Sequence, residues 1–172
     1  MNAQLFPIGS RKTQRELDGL TVLRVLFVAL LQAAFAGGLI LVIITRTMGE
    51  VDPVPAAILL ILGATGVVVA LTLRKNPLNT ADAAALTSSF RTRFFIGFVV
   101  NEIPLLTGLV LGVIRQELWP YFISLPLFAA GVVVIAPSGS NIDRSQTAIA
   151  LSGSPLLLRD ELMAPQPPQR RG

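Results

Sequence analysis

The stretch Phe94 to Ile114, FFIGFVVNEIPLLTGLVLGVI, constrains this chain more than any other. At about 21 residues it is long enough to cross the hydrocarbon core of a bilayer as a helix, yet Asn101, Glu102 and Pro104 fall near its middle. A charge at mid-membrane costs roughly 2.5–3.5 kcal/mol even on the lower scales, so Glu102 is expected to be protonated, hydrogen-bonded inside a helical bundle, or both. One polar spot inside an otherwise apolar span is the first thing a fold must accommodate.

The rest of the chain has the same character. Hydrophobic residues make up 52% of its 172 positions, mean hydropathy is +0.68, and several apolar runs exceed the needs of a soluble core, which points to an all-α integral membrane protein. Cysteine and histidine are absent. No disulfide, His- or Cys-ligated haem, His/Cys zinc site or imidazole base can therefore form, and no metal or other cofactor is expected. The net charge of +4 comes from basic residues at span edges and in the tail, without interleaved aromatics, which argues against nucleic acid as a partner. The first apolar run starts near Thr21 and is too long for the apolar part of a cleavable signal peptide.

In order, residues 1–20 read as a cytoplasmic basic lead, with a surface helix possible from Thr13 that runs into the first span. Four spans are predicted at about 21–45, 56–73, 94–114 and 118–136, a four-helix bundle. Residues 46–55 and 115–117 are tight turns; residues 74–93 form a polar loop with a short surface helix at Thr80 to Phe90. Trp119, Tyr121 and Phe122 are expected to form an interfacial aromatic belt, and Pro126 to kink the fourth span. Residues 137–172, rich in Ser, Gly and Pro, read as a disordered cytoplasmic tail with one apolar piece, PLLLRDELM (Pro155 to Met163), whose Leu156, Leu157 and Met163 resemble the anchors of a helix-in-groove ligand. Lys and Arg concentrate in the lead, the middle loop and the tail, so the positive-inside rule places both termini in the cytoplasm of a cell whose inner membrane holds the protein.

Displacing the chain by about 70 residues brings Gln32 onto Glu102, Gly38 onto Gly108 and Leu41 onto Leu111, and GVVVA from Gly66 echoes GVVVI from Gly131. Two repeated helical hairpins would produce this pattern; so would chance in apolar sequence, and both stay open. The intramembrane polar residues Gln32, Asn101 and Glu102 are the candidates for a structural or proton-carrying role. Ala33, Gly37, Gly38, Gly63, Gly66, Gly97, Gly108 and Gly112 recur at spacings that let helices approach closely, within the chain or toward a partner. Gly97, Asn101, Pro104, Gly108 and Gly112 share one helix face, with Glu102 at its flank. No nucleotide loop or nucleophile–base pair is visible, so a non-catalytic role is expected. The alternative is a small proton-coupled carrier or channel centred on Glu102.

FRTRFFIGFVVNEIPLLTGLVLGVI (residues 90–114) is similar to the third span of a widespread family of small four-helix bacterial membrane proteins, in which an Arg-containing approach precedes Glu, a small or Pro residue, and Gly-Leu-Val. Over this one span it also resembles the carboxylate helix of the ATP synthase rotor subunit c. It departs from the rotor in placing Glu102 on the first helix of a hairpin with an outside loop, and the first span lacks a rotor's dense glycines. Across the chain, above all in TQRELDGLTVLRVLFVALLQAAFAGGLI and the NEIP span, the sequence resembles the accessory membrane subunits of mycobacterial Mce lipid importers, and its Ala, Val, Leu and Arg bias resembles actinobacterial proteins. That resemblance implies a non-catalytic subunit beside the importer's permease and substrate-binding subunits, in contact with membrane lipids.

Overall fold

The computed structural model describes residues 19–45 and 47–164. The basic lead with its expected surface helix from Thr13, Arg46, and the Pro-rich residues 165–172 lie outside the described residues. Six helices follow in order: α1 Gly19–Ile44, α2 Pro53–Lys75, α3 Ala83–Arg115, α4 Trp119–Ile135, α5 Gly139–Leu151 and α6 Leu158–Met163.

Local chemistry sets their ends. The Asp52 carboxylate accepts from Val54 N at 3.1 Å and Pro53 opens α2, where a missing N–H costs nothing. Asp82 caps α3 through Ala85 N at 2.7 Å, and Gln116, with φ 57°, closes it in the left-handed conformation. The surface helix expected at Thr80 to Phe90 and the third span are one helix of 33 residues, because nothing between Ala83 and Phe94 breaks the backbone pattern.

Three helices, α1, α2 and α3, are each long and apolar enough to cross a membrane, or four spans result if α4 and α5, bent by 48° at their junction, are taken as one. The expected fourth span is thus a helix of only 17 residues, about 25 Å long. The helices α2, α3 and α4 pack on one another, while α1 leans on α3. Phe35, Ile43, Ile61, Val99, Ile114 and Val133 are among many large apolar side chains left exposed on the outer faces. That is the arrangement lipid selects, since apolar side chains gain nothing there by turning inward.

The two ends differ. At one, the turns interlock: Leu118 N and Trp119 N donate to the carbonyls of Thr47 and Met48 at 3.0 and 3.2 Å, and Arg115 joins Asp52 and Glu117 at 3.1 Å each. Trp119 and Tyr121 do not form the expected aromatic belt; both are buried, and only Phe122 of the three is exposed. The Trp119 indole donates to Glu117 at 2.7 Å and its ring packs with Ala56 and Leu59. A neighbouring acceptor and an apolar pocket draw it in from the interface.

At the other end residues 139–163 are folded, which corrects the expectation of a disordered tail across them. Ile142 and Ile149, two turns apart on α5, and Leu158 and Leu162, one turn apart on α6, are buried with Leu20, Leu23, Leu86 and Phe90. Its small polar residues are punctuation: Ser138 caps α5, and Gly153, with φ 79°, ends it. Asn141 donates to the carbonyls of Val133, Val134 and Ala136 at 3.2, 3.1 and 2.9 Å, satisfying the end of α4. Gln146 grips the approach to α6, donating to Leu156 O at 3.1 Å and accepting from Leu158 N at 2.6 Å. PLLLRDELM therefore lies in a groove of its own chain, anchored through Leu158 and Leu162 while Leu157 and Met163 are exposed.

Leu158→Ala with Leu162→Ala should release this segment, since burial of each leucine is worth about 2–5 kcal/mol against alanine. Hydrogen exchange in detergent is expected to rise across residues 139–163 with α2 and α3 still protected. Unchanged exchange there would show that other contacts hold the segment.

Candidate functional site

Asn101 is the polar residue at the centre of the packed helices. Its side chain is 1% exposed, and its amide donates to Gly97 O at 2.7 Å, one turn back on α3. Two glycines make the room. A side chain at Gly131 of α4 would overlap the carboxamide, and a Cβ at Gly66 of α2 would lie 3.0 Å from its oxygen. Pro104 leaves the carbonyl of Val100 without its helical donor. The Cβ position of Gly66 is 3.4 Å from that carbonyl, so a glycine hydrogen points at it instead.

The other glycines on this face are equally occupied. Gly63 receives Leu127, Gly97 receives Ile135, and Gly108 lies under the Pro120 carbonyl and the Ser124 hydroxyl. On α1, Gly38 receives the ring of Tyr121, whose hydroxyl donates to Ala34 O at 2.7 Å. Gly37 lies against Leu109 and Gly112 against Leu41. The small residues that sequence alone leaves open between internal packing and a partner are spent, except Ala33, mostly inside the chain; Ala33 is exposed. Gly131 was not singled out, although its place in the GVVV echo of Gly66 is a signal that could have found it.

Glu102 has a different setting. It is half-buried on the flank of α3, and among the described residues no side chain or backbone group hydrogen-bonds its carboxylate. Other polar side chains along the spans turn back on their own helix: Thr65 to Ile61 O, Thr72 to Val68 O, Thr107 to Ile103 O and Ser124 to Pro120 O, at 2.8 to 2.9 Å.

Gln32 lies at the level of Glu102. Phe27 touches Phe94 with ring centroids 6.0 Å apart, Gly37 meets Leu109 and Leu41 meets Gly112. Each α1 residue thus lies beside a partner roughly 70 residues on, the displacement at which the sequence matches itself. The two polar groups share a depth but not a direction. Phe27, Leu30, Leu31 and Ala34 turn to the core, and at about 100° per residue Gln32 points away from them. It is exposed, with Val28, Ala29, Phe35 and Ala36, all exposed, one turn to either side, and has no hydrogen-bond partner among the described residues.

Gly131→Val should cost roughly 1–3 kcal/mol by forcing Asn101 from its seat. Unfolding in detergent is expected at lower temperature, with partial recovery when Asn101→Ala is added, because the two positions contest one space. A purely additive double variant would contradict the geometry. No family model matches this chain, and no curated protein or solved structure is similar enough to it to carry an argument.

Proposed function

We propose that this protein is a non-catalytic accessory or assembly subunit of a multi-protein transport complex in a bacterial inner membrane, crossing it four times as a helical bundle with both termini in the cytoplasm. The observation that carries this reading is the outward face of α1. An amide at mid-span keeps four hydrogen-bonding positions, and none is used within the described chain. Ala29 and Ala36 on one side of it leave room for the backbone of another span, and the exposed Val28 and Phe35 on the other side offer it apolar packing surface. Preference for lipid import, in a complex of the Mce type, rests on the whole-chain resemblance described above.

Charge supports the orientation. Arg24, Arg74, Lys75, Arg91, Arg93, Arg144 and Arg159 belong to the end that carries α5 and α6, whereas Arg115 at the other end is paired with Asp52 and Glu117. The chain has no cysteine, so single cysteines report without background. An impermeant thiol reagent applied to intact cells should label Glu50→Cys and leave Ala81→Cys and Ser140→Cys untouched. Glu50 is preferred to Gly49, whose φ of 73° and contact with Glu117 resist a side chain. Labelling of Ala81→Cys from outside rejects the orientation.

One observation favours the second reading, a proton-coupled carrier or channel: the half-buried Glu102 carboxylate without a partner among the described residues. A pair of variants separates the two. Gln32→Leu with Ala36→Leu should reduce recovery of co-purified subunits in mild detergent about tenfold at equal membrane abundance, while Glu102→Gln leaves recovery intact. Transport lost in Glu102→Gln with normal assembly would give the carrier reading the advantage.

A further inference from the structure

At the basic end, a cavity of about 680 Å³ opens between the last turn of α2, the start of α3, the end of α4 and α5. That volume falls within the range of about 300–1,000 Å³ typical of small-ligand sites. Its lining is divided by chemistry. Leu71, Leu78, Val134 and Ile135, each at least partly exposed, form an apolar part, and Arg74, Lys75, Arg93 and Arg144 supply four cations. No Asp or Glu belongs to the lining. Arg93 donates to the Asn76 carbonyl, while Arg74, Lys75 and Arg144 have no carboxylate partner among the described residues.

We propose that this cavity binds the phosphate headgroup of an anionic membrane lipid, with the first part of an acyl chain against the apolar wall. Four cations gathered around one space, unpaired with any carboxylate, repel one another until an anion enters. A free phosphate would satisfy them, but it would leave the apolar wall uncovered. Leu71 lies one turn deeper along α2 than Arg74 and Lys75 and is itself exposed, so the wall continues into the lipid-facing surface of a spanning helix. A bilayer lipid meets both demands at once, and its headgroup is already at the depth where span ends place their cations. The site needs only that α2 and α3 lie in a bilayer; it does not depend on the partner proposed for α1.

The test uses the full chain, purified in non-ionic detergent, washed free of lipid and offered phosphatidylglycerol or phosphatidylcholine, with bound lipid counted by native mass spectrometry. Phosphatidylglycerol should be retained over phosphatidylcholine. Each cation removed should weaken retention about fivefold, so Arg144→Gln loses about that factor and Arg93→Gln with Arg144→Gln about 25-fold. Ala148→Trp with Ser145→Trp, which narrows the cavity from α5 and keeps every charge, should weaken retention as well. Arg159→Gln, outside the lining and paired with Asp143, should not. Should Arg93→Gln reduce folding, the exposed Arg144→Gln decides by itself. Equal retention of the two lipids, or full retention in Arg144→Gln or in the double Trp variant, overturns the proposal. Displacement of phosphatidylglycerol by millimolar inorganic phosphate would overturn the lipid assignment in favour of a free anion.

Discussion

Everything in the packed part of this protein depends on seating one carboxamide. In lipid, helices are not driven together by water, and contact must come from close approach and from polar groups that have nowhere else to go. Asn101 supplies the polar group. Gly66 and Gly131 supply the approach, one from each neighbouring helix. A side chain at Gly131 would take the space of the carboxamide, and a Cβ at Gly66, 3.0 Å from its oxygen, would press on it from the other neighbouring helix. Gly63, Gly97 and Gly108 then extend the same fit along the helices, each taking a side chain or carbonyl from the opposite partner.

Away from that seat the molecule is built differently at its two ends. The end of the tight turns is cross-tied by backbone hydrogen bonds and by Arg115 between two acids, so its charges are largely consumed. The opposite end is roofed by α5 and α6, and Arg74, Lys75, Arg93 and Arg144 there have no acid partner among the described residues. One end is closed by internal pairing and the other keeps charge for use. The contrast gives the molecule a polarity that apolar spans alone could not provide.

Much of this was readable from residues alone. That the chain holds several helices long and apolar enough to cross a membrane follows from apolar length, and the grouping of Gly97, Asn101, Pro104, Gly108 and Gly112 on one face of α3 needs only the helical period. Which of two adjacent polar residues turns inward is not readable in the same way. Asn101 and Glu102 differ by about 100° around the helix, and the choice belongs to where α2 and α4 put their glycines. Trp119 and Tyr121 look like interface residues until Glu117 and the Ala34 carbonyl are found beside them. Composition misled at residues 139–163: Ser and Gly there mark caps and a turn, and four spaced buried apolar residues, with the Asn141 and Gln146 hydrogen bonds, are enough to fold it. The hairpin repeat is a subtler case. Its displacement matches the side-by-side register of α1 and α3, but α3 packs closely on α4 whereas α1 and α2 barely meet.

The docking of α6 carries a consequence for assembly during synthesis. Leu158 and Leu162 close over Leu20 and Leu23 at the beginning of α1 and over Leu86 and Phe90 at the beginning of α3. The element made first is therefore fastened, at its cytoplasm-proximal end in the proposed orientation, by the described element made last. Without α6, α1 still meets its neighbours near its start, where Gly19 lies beside Arg91 and Arg24 donates to the Pro137 carbonyl at 3.4 Å, and further along through Phe27, Gly37, Gly38 and Leu41. Closure of Leu158 and Leu162 over Leu20 and Leu23 thus waits on translation of a segment near the C-terminal end of the described residues.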